Sequence, residues 1–361
     1  MRRIAKIKIM LLLVLLPCVV KAERGPSALP PSIAVVAQDG LGARLIETAQ
    51  AQLKRGDLAG AATTLEQALA QEERNKAARI ALIHVLLRLT RPAEAERHAQ
   101  TLRQQFPEET QPVYLLALIA FQRGQPQLAC ELANQCLARG DLRPEVYKLL
   151  AFAEYLLQQY DQSEAHTRAV LQQHPQDPEA NYHLGRQLYE GKRYREALGS
   201  FQKVIEVQPE NYKAHYYAGL LYEASNEAGR TKEEFLAAIQ IIDRQKLRYP
   251  WPFTDLGRRL VNEGEFDRGL GWLYRAIRND PASPQAHYEY AKALFQKEAT
   301  PEVKQELMEA IRLDEGYSEA YYLLARYYQK VGEKQLAQET FAKFEEVKKN
   351  PRPSPYGLRR W

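Results

Sequence analysis

A period of 34 residues runs through most of this chain and limits what it can fold into. With LGRQLYEGKRYREALGSFQKVIEVQP (184–209) as the ruler, steps of 34 mark repeats at 42–75, 76–109, 110–143, 144–177, 178–211 and 212–245. Four additional residues, 246–249, interrupt the count, which resumes at 250–283, 284–317 and 318–351. Position 8 of these repeats holds Ala49, Ile83, Ala117, Ala151, Gly185, Gly219, Gly257, Ala291 and Ala325. Position 20 holds Ala61, Ala95, Ala129, Ser163, Ala197, Thr231, Gly269, Val303 and Ala337. Two mostly small columns mark the crossing of two helices, because small side chains let helix backbones approach closely. Gly56, Gly124, Gly264 and Gly332 share position 15, where the first helix needs a left-handed terminating residue. Pro107, Pro175, Pro209 and Pro281 share position 32, between repeats. Four columns kept in phase describe a helix–turn–helix unit that buries its apolar face only by stacking on its neighbours.

The same columns carry a family resemblance. Leu184-Gly185, Leu188, Ala197, Phe201 and Pro209 fall where the tetratricopeptide repeat places its Leu-Gly, large apolar, Ala, Phe and Pro signals, and the chain is similar to that family over all but its flanks. The resemblance implies an all-α fold, a right-handed α-solenoid superhelix of nine helix-turn-helix repeats whose terminal repeats act as caps. The expected organisation is a signal peptide at 1–22, a Pro-rich linker at 23–41, repeats 1–6 at 42–245, an insertion at 246–249, repeats 7–9 at 250–351 and a basic tail at 352–361. The stretch YPWPF (249–253) fits this frame. Pro250 and Pro252 are positions 1 and 3 of repeat 7, in a first helical turn whose N–H groups have no internal partner, so they start a helix rather than break one. The four inserted residues either lengthen the second helix of repeat 6 by about one turn or form a longer loop. Either way they make a seam in the stacking, at which Trp251 is expected to be partly exposed.

The ends set the compartment. MRRIAKIK is basic and free of acids, IMLLLVLLPCVV follows, and Val20-Lys21-Ala22 closes the segment with small residues at the cleavage-site positions. That order predicts a secretory signal removed after Ala22, and the apolar run is too short to span a bilayer. The protein is therefore expected to be exported, periplasmic or secreted, with no membrane span after cleavage. No asparagine begins an N-x-S/T sequon, which favours a bacterial envelope. Of the 50 basic residues, Arg2, Arg3, Lys6, Lys8 and Lys21 lie in the signal, leaving 45 against 45 acids. A chain balanced in this way lacks the strong positive field of a nucleic-acid binder. Cys130 and Cys136, six residues apart on one helix, project about 120° apart with Cα atoms about 10 Å distant. A disulfide needs less than about 7 Å, so both read as small buried apolar residues.

No phosphate-cradling glycine loop, paired-cysteine metal motif or nucleophile elbow occurs, and the seven histidines are scattered. No catalytic, cofactor-binding or metal residue is expected, and the reading is a non-enzymatic scaffold that binds a protein partner. The family resemblance implies that the first helices line a concave face with positions 2, 5, 9, 12 and 13. Positions 5 and 9 of the C-terminal half give Tyr182/Arg186, Thr254/Arg258, Tyr288/Lys292 and Tyr322/Arg326, each an i, i+4 pair on one helix face. Tyr189, Tyr216 and Phe295 add to the strip, and Trp251 stands at the seam. Such a surface suits an extended acidic peptide, through aromatic packing and charge-assisted hydrogen bonds. The same residues also admit a packing role, with tyrosines at repeat interfaces and basic groups paired to acids such as Glu190 and Glu223. The rival functions are a carrier module for a ligand such as an anionic glycan, and a regulatory subunit of an envelope enzyme complex.

Overall fold

The structure, a computed structural model, describes residues 41–350. The expected signal (1–22), the linker up to residue 40 and the tail (352–361) lie outside the described residues. Among those residues the chain forms eighteen α-helices and no strand, and the fold class is an all-α solenoid. Repeats 1 to 5 contribute α1 (Leu41–Lys54) and α2 (Leu58–Gln71), α3 (Lys76–Arg88) and α4 (Pro92–Gln105), α5 (Thr110–Gln122) and α6 (Pro126–Ala138), α7 (Pro144–Leu156) and α8 (Tyr160–Gln173), and α9 (Pro178–Glu190) and α10 (Tyr194–Val207). Repeats 6 to 9 contribute α11 (Tyr212–Ala224) and α12 (Ala228–Gln245), α13 (Trp251–Asn262) and α14 (Phe266–Asn279), α15 (Pro284–Lys297) and α16 (Pro301–Leu313), and α17 (Ser318–Val331) and α18 (Lys334–Lys349).

The chain divides into two compact units that meet in sequence between Gly191 and Lys192. In the first unit each helix from α1 to α9 packs on the next, and the first helices also touch one another, α3 on α5 and α5 on α7. In the second unit the same order runs from α10 to α18, with α13 on α15 and α15 on α17. Each unit is thus built mainly from contacts between neighbouring helices and repeats, as the period requires.

Local chemistry sets the helix ends. Asn75, Asp177, Asn211 and Ser283 all stand at position 34, and each side chain accepts a hydrogen bond from the backbone N–H three residues on, at 2.9, 2.8, 3.1 and 3.2 Å. An N-cap of this kind contributes about 1 kcal/mol. At the other end of the first helix, position 15 is left-handed in eight repeats. Gly56, Gly124, Gly264 and Gly332 take φ of 76° to 88°, and Thr90, Gln158, Lys192 and Asn226 take φ of 57° to 64°. The exception is Glu298, which is extended.

The small columns are the closest packing points. In repeat 7 a Cβ added to Gly257 would stand 2.9 Å from the carbonyl oxygen of Gly269, and one added to Gly269 would stand 2.8 Å from that of Gly257. Positions 8 and 20 therefore face each other across α13 and α14. Between repeats, position 4 reaches back to the carbonyl of position 32. Asn181 donates to Pro175 O at 2.9 Å, while His215 and His287 bond Pro209 O and Pro281 O at 3.0 and 3.1 Å. The other ring nitrogen of these histidines meets Glu234 at 2.6 Å and Glu306 at 2.5 Å.

The insertion takes the first of the two expected forms, a lengthened second helix. α12 has 18 residues where the other second helices have 13 to 16, and it stops at left-handed Lys246 (φ 52°). A short loop then leads to Pro250. Asn279 of α14 clamps this loop, accepting from Tyr249 N at 2.7 Å and donating to Leu247 O at 2.8 Å. Pro250 caps α13 and Pro252 lies in its first turn. Trp251 is only 3% exposed, with Tyr249 and Phe253 buried beside it in sequence. The expectation of a partly exposed tryptophan is corrected, because the seam fills a core instead of opening one. Cys130 and Cys136 are free, buried thiols, and burial pushes both up to about 11.

Candidate functional site

The strip read from positions 5 and 9 falls into three classes of side chain. The first class is buried. Tyr216 on α11 has no exposed surface, and its hydroxyl donates to Asp255 on α13 at 2.7 Å. Arg186 on α9 is 5% exposed, lies 3.5 Å from Glu190 one turn on, and stacks its guanidinium over the Tyr155 ring at 5.7 Å. These two, with Trp251, are withdrawn from a partner-facing role in this arrangement. Tyrosine carries a large apolar body that packs at repeat interfaces, and its hydroxyl then needs a buried acceptor.

The second class is half-buried and committed to neighbours. Tyr182 and Tyr189 on α9 are partly covered. Arg258 on α13 is held 3.4 Å from Glu223 on α11 and 3.4 Å from Asp255. Burial works against its charge, but Asp255, Glu223 and Glu289 outweigh it and raise its pKa. Arg259 extends the network to Glu223 at 3.8 Å and Glu263 at 2.9 Å, and Lys232 on α12 reaches Glu263 at 2.7 Å. Arg258 is thus a strut between repeats 6 and 7. Tyr288 on α15 packs on Tyr317 with ring centroids 5.1 Å apart, and Phe295 lies under the Lys330 ammonium at 4.9 Å.

The third class remains available. Lys292 on α15 keeps an open side chain beside Glu289 at 3.3 Å and lies 5.7 Å from the Tyr288 ring centre. Arg326 on α17 is exposed, and Tyr322, 42% exposed, rests on Phe341 and Phe344 of α18. α15 and α17 touch, and on this row of first helices Lys292 and Arg326 both take position 9, with Tyr322 one turn earlier at position 5. Of the strip, the side chains left open in the second unit are thus Lys292 on α15 and Tyr322 and Arg326 on the adjoining α17, with Tyr288 partly covered. Among the described residues no group of three or more His, Cys, Asp and Glu is placed to hold a metal ion. None of the described helices is long and apolar enough to cross a membrane.

What the sequence reading missed is a feature of the first unit. Between α4, α5 and α6 lies a cleft of about 540 Å³ lined by Arg103, Arg123 and Arg139 over Leu116, Ile119 and Leu132. Its signal was present in the repeat columns, where Arg103 takes position 28, otherwise Leu or Ile from the first repeat to the eighth.

Comparison with known proteins agrees with this architecture. Tetratricopeptide repeat profiles match residues 52–119, 149–206, 185–244 and 254–302. Anaphase-promoting complex subunit 3 of Schizosaccharomyces pombe is 24% identical over 254 residues, covering 69% of this chain and 37% of that protein. An uncharacterised TPR repeat-containing protein of Arabidopsis thaliana is 32% identical over 85 residues, which is 22% of this chain and 10% of that protein. The chain thus spans from a tenth to somewhat over a third of these relatives. Among solved structures, the APC/C hetero-tetramer Cut9–Hcn1 is similar with a TM-score of 0.56 and 12% identity, over 78% of this chain and 55% of that one. PilW, a type IV pilus biogenesis factor, is similar with a TM-score of 0.50 and 15% identity, over 55% of this chain and 92% of that one. At such identities the two structures speak for the fold alone. With repeat profiles matched along more than half of its length and helix pairs in the matching register, the chain belongs to the tetratricopeptide repeat family.

Proposed function

We propose that this protein is a non-enzymatic interaction scaffold of the cell envelope that binds a protein partner through the first-helix row of its second unit. The observation that carries the reading is that Lys292, Tyr322 and Arg326 stay open on the touching helices α15 and α17. Two cations beside an aromatic ring suit an extended acidic peptide, whose carboxylates would gain charge-assisted hydrogen bonds while an apolar side chain packs on the ring. Membership of a repeat family whose units stack into extended surfaces supports the scaffold role. The ordered basic, apolar and small-residue segments of residues 1–22 support export.

The test is capture of partners from the organism's own envelope fraction by the wild-type protein and by a Lys292→Glu/Arg326→Glu double variant. Both side chains are open enough that reversal should change stability by under about 0.5 kcal/mol each, and the variant should melt as the wild type does. Partner yield should collapse. Recovery of the same partners in the same yield would falsify the binding face. Amino-terminal sequencing of the envelope protein should begin at or near Glu23, and a cytosolic protein with Met1 intact would defeat the export reading.

A further inference from the structure

We propose that the cleft between α4, α5 and α6 is a second docking site, which takes a short acidic peptide with an apolar face. Two departures from the repeat pattern meet in one place. Position 28 is Leu or Ile in repeats 1 and 3 to 8, from Leu69 and Leu137 to Ile277 and Ile311, but in repeat 2 it is Arg103. Position 19 is Gly60 or a polar or charged residue in the other repeats up to the eighth, but in repeat 3 it is Leu128. An aliphatic wall has become a cation, and a solvent-facing polar position has become leucine.

The structure puts both changes on the same cleft. Its floor is apolar, with Ile119 and Leu132 buried and Leu116 partly so, and Leu128 stands at its edge 42% exposed. Leu128 thus adds apolar surface at the rim that an occupant of the cleft would cover, although Leu336 is similarly open at position 19 of the last repeat. The corresponding groove between α16, α17 and α18, where Ile311 holds position 28, is smaller at about 370 Å³.

Charge selects the occupant. The lining carries Arg103, Arg123 and Arg139 against the single acid Glu96. Glu96 is already bound to Arg123. Arg139 donates only to the carbonyl of Pro107, at 3.0 Å, and Arg103 is exposed with no carboxylate partner among the described residues. Two guanidinium groups with forked donors, set around an apolar floor, fit the carboxylates of a peptide that also presents leucine-like side chains. An anionic glycan would satisfy the arginines but leave the floor and Leu128 uncovered, so the peptide is the better match.

The probe is a fluorescein-labelled peptide of about 12 residues, built of Leu, Ala and Glu with the leucines on one helical face flanked by glutamates. Fluorescence anisotropy with the full chain should show it binding at least tenfold more tightly than a scrambled isomer or a Lys-for-Glu version, and added salt should weaken it. Arg103→Glu/Arg139→Glu should weaken binding at least tenfold. Arg103→Leu, which restores the residue of the other repeats and fills the wall, should weaken it similarly without lowering the melting temperature. Lys292→Glu/Arg326→Glu should leave it unchanged, so this site and the first-helix row fail or stand separately. Equal binding of the scrambled peptide overturns the proposal, as does indifference to the Arg103 variants. Binding of a uronic-acid oligomer in place of the peptide overturns it too, by assigning the cleft to polyanions.

Discussion

Thr90, Gln158, Lys192 and Asn226 share one strained backbone conformation, because the turn between paired helices takes a positive φ in every repeat except that of Glu298. Glycine meets that demand without a Cβ clash, asparagine nearly so, and a β-branched residue least well. Thr90, at φ 57°, is the costliest of the four. Replacing it with glycine removes a left-handed penalty of roughly 1–2 kcal/mol. The added freedom of glycine in the unfolded chain returns about 0.5–1 kcal/mol. We expect Thr90→Gly to stabilise the protein by about 0.5–1 kcal/mol, read as a higher urea midpoint at unchanged slope. Asn226→Gly should gain less. A destabilised Thr90→Gly protein would mean that the Thr90 side chain contributes more than the turn costs.

Glycine serves an opposite purpose inside the helices. Gly257 of α13 and Gly269 of α14 hold two backbones in contact, and the atoms that a Cβ would meet include main-chain carbonyls, which cannot swing aside. Gly257→Ala should therefore destabilise by about 1–3 kcal/mol, the range typical of overpacking. Gly271, in the middle of α14, has open space where its Cβ would be. Gly271→Ala should stabilise by about 0.5–1 kcal/mol through helix propensity. Opposite shifts in melting temperature from one substitution type on adjacent helices would establish the contact, and shifts of equal sign would refute it. This contrast shows what was legible beforehand. A crossing that only small residues permit leaves its mark in composition, so positions 8 and 20 could be read without coordinates. The seam was half legible: the two prolines declared a helix start, but the burial of Trp251 accompanies a clamp by Asn279, about 30 residues from Tyr249, which no local pattern announces. The binding strip was least legible, because tyrosine and arginine serve packing and recognition alike. Tyr216 spends its hydroxyl on Asp255 and Arg258 its charge on Glu223, whereas Arg326 at the same register as Arg258 stays open. Arg103 and Leu128 were readable as breaks in their columns, but only the cleft joined them.

At the scale of the whole molecule, the two units carry histidines of opposite electrostatic character. In the first unit, burial pushes His84 down to about 4 and His183 down to about 3, with Arg186 adding to the effect on His183. His84 has its Nε2 shielded without a hydrogen-bond partner among the described residues, and His183 packs between Phe152 and Tyr155. In the second unit burial also works against charge on His215 and His287. Hydrogen bonds to Glu234 and Pro209 O, and to Glu306 and Pro281 O, outweigh it and raise both pKa values, helped by Glu210 and Glu309. Linkage fixes the consequences. A histidine depressed in the folded state leaves the unfolded chain binding more protons below about 6.5, so the first unit loses stability as pH falls through that value. A histidine raised in the folded state stabilises fully below about 6.5, and that contribution disappears as pH rises through the folded value. Acidification from about pH 7.5 to about 5.5 should therefore weaken α3 and α9 and strengthen α11 and α15. The paired carboxylates with lowered pKa values, such as Glu94, Glu263 and Glu309, begin to protonate only below this window. Hydrogen exchange on the intact chain reads the two units separately. Opening free energies of α3 and α9 amides should fall while those of α11 and α15 rise, and His215→Gln/His287→Gln should abolish the rise and leave the fall untouched. A change of the same sign in both units would show that histidine burial, not the glutamate pairing, governs the second unit as well as the first.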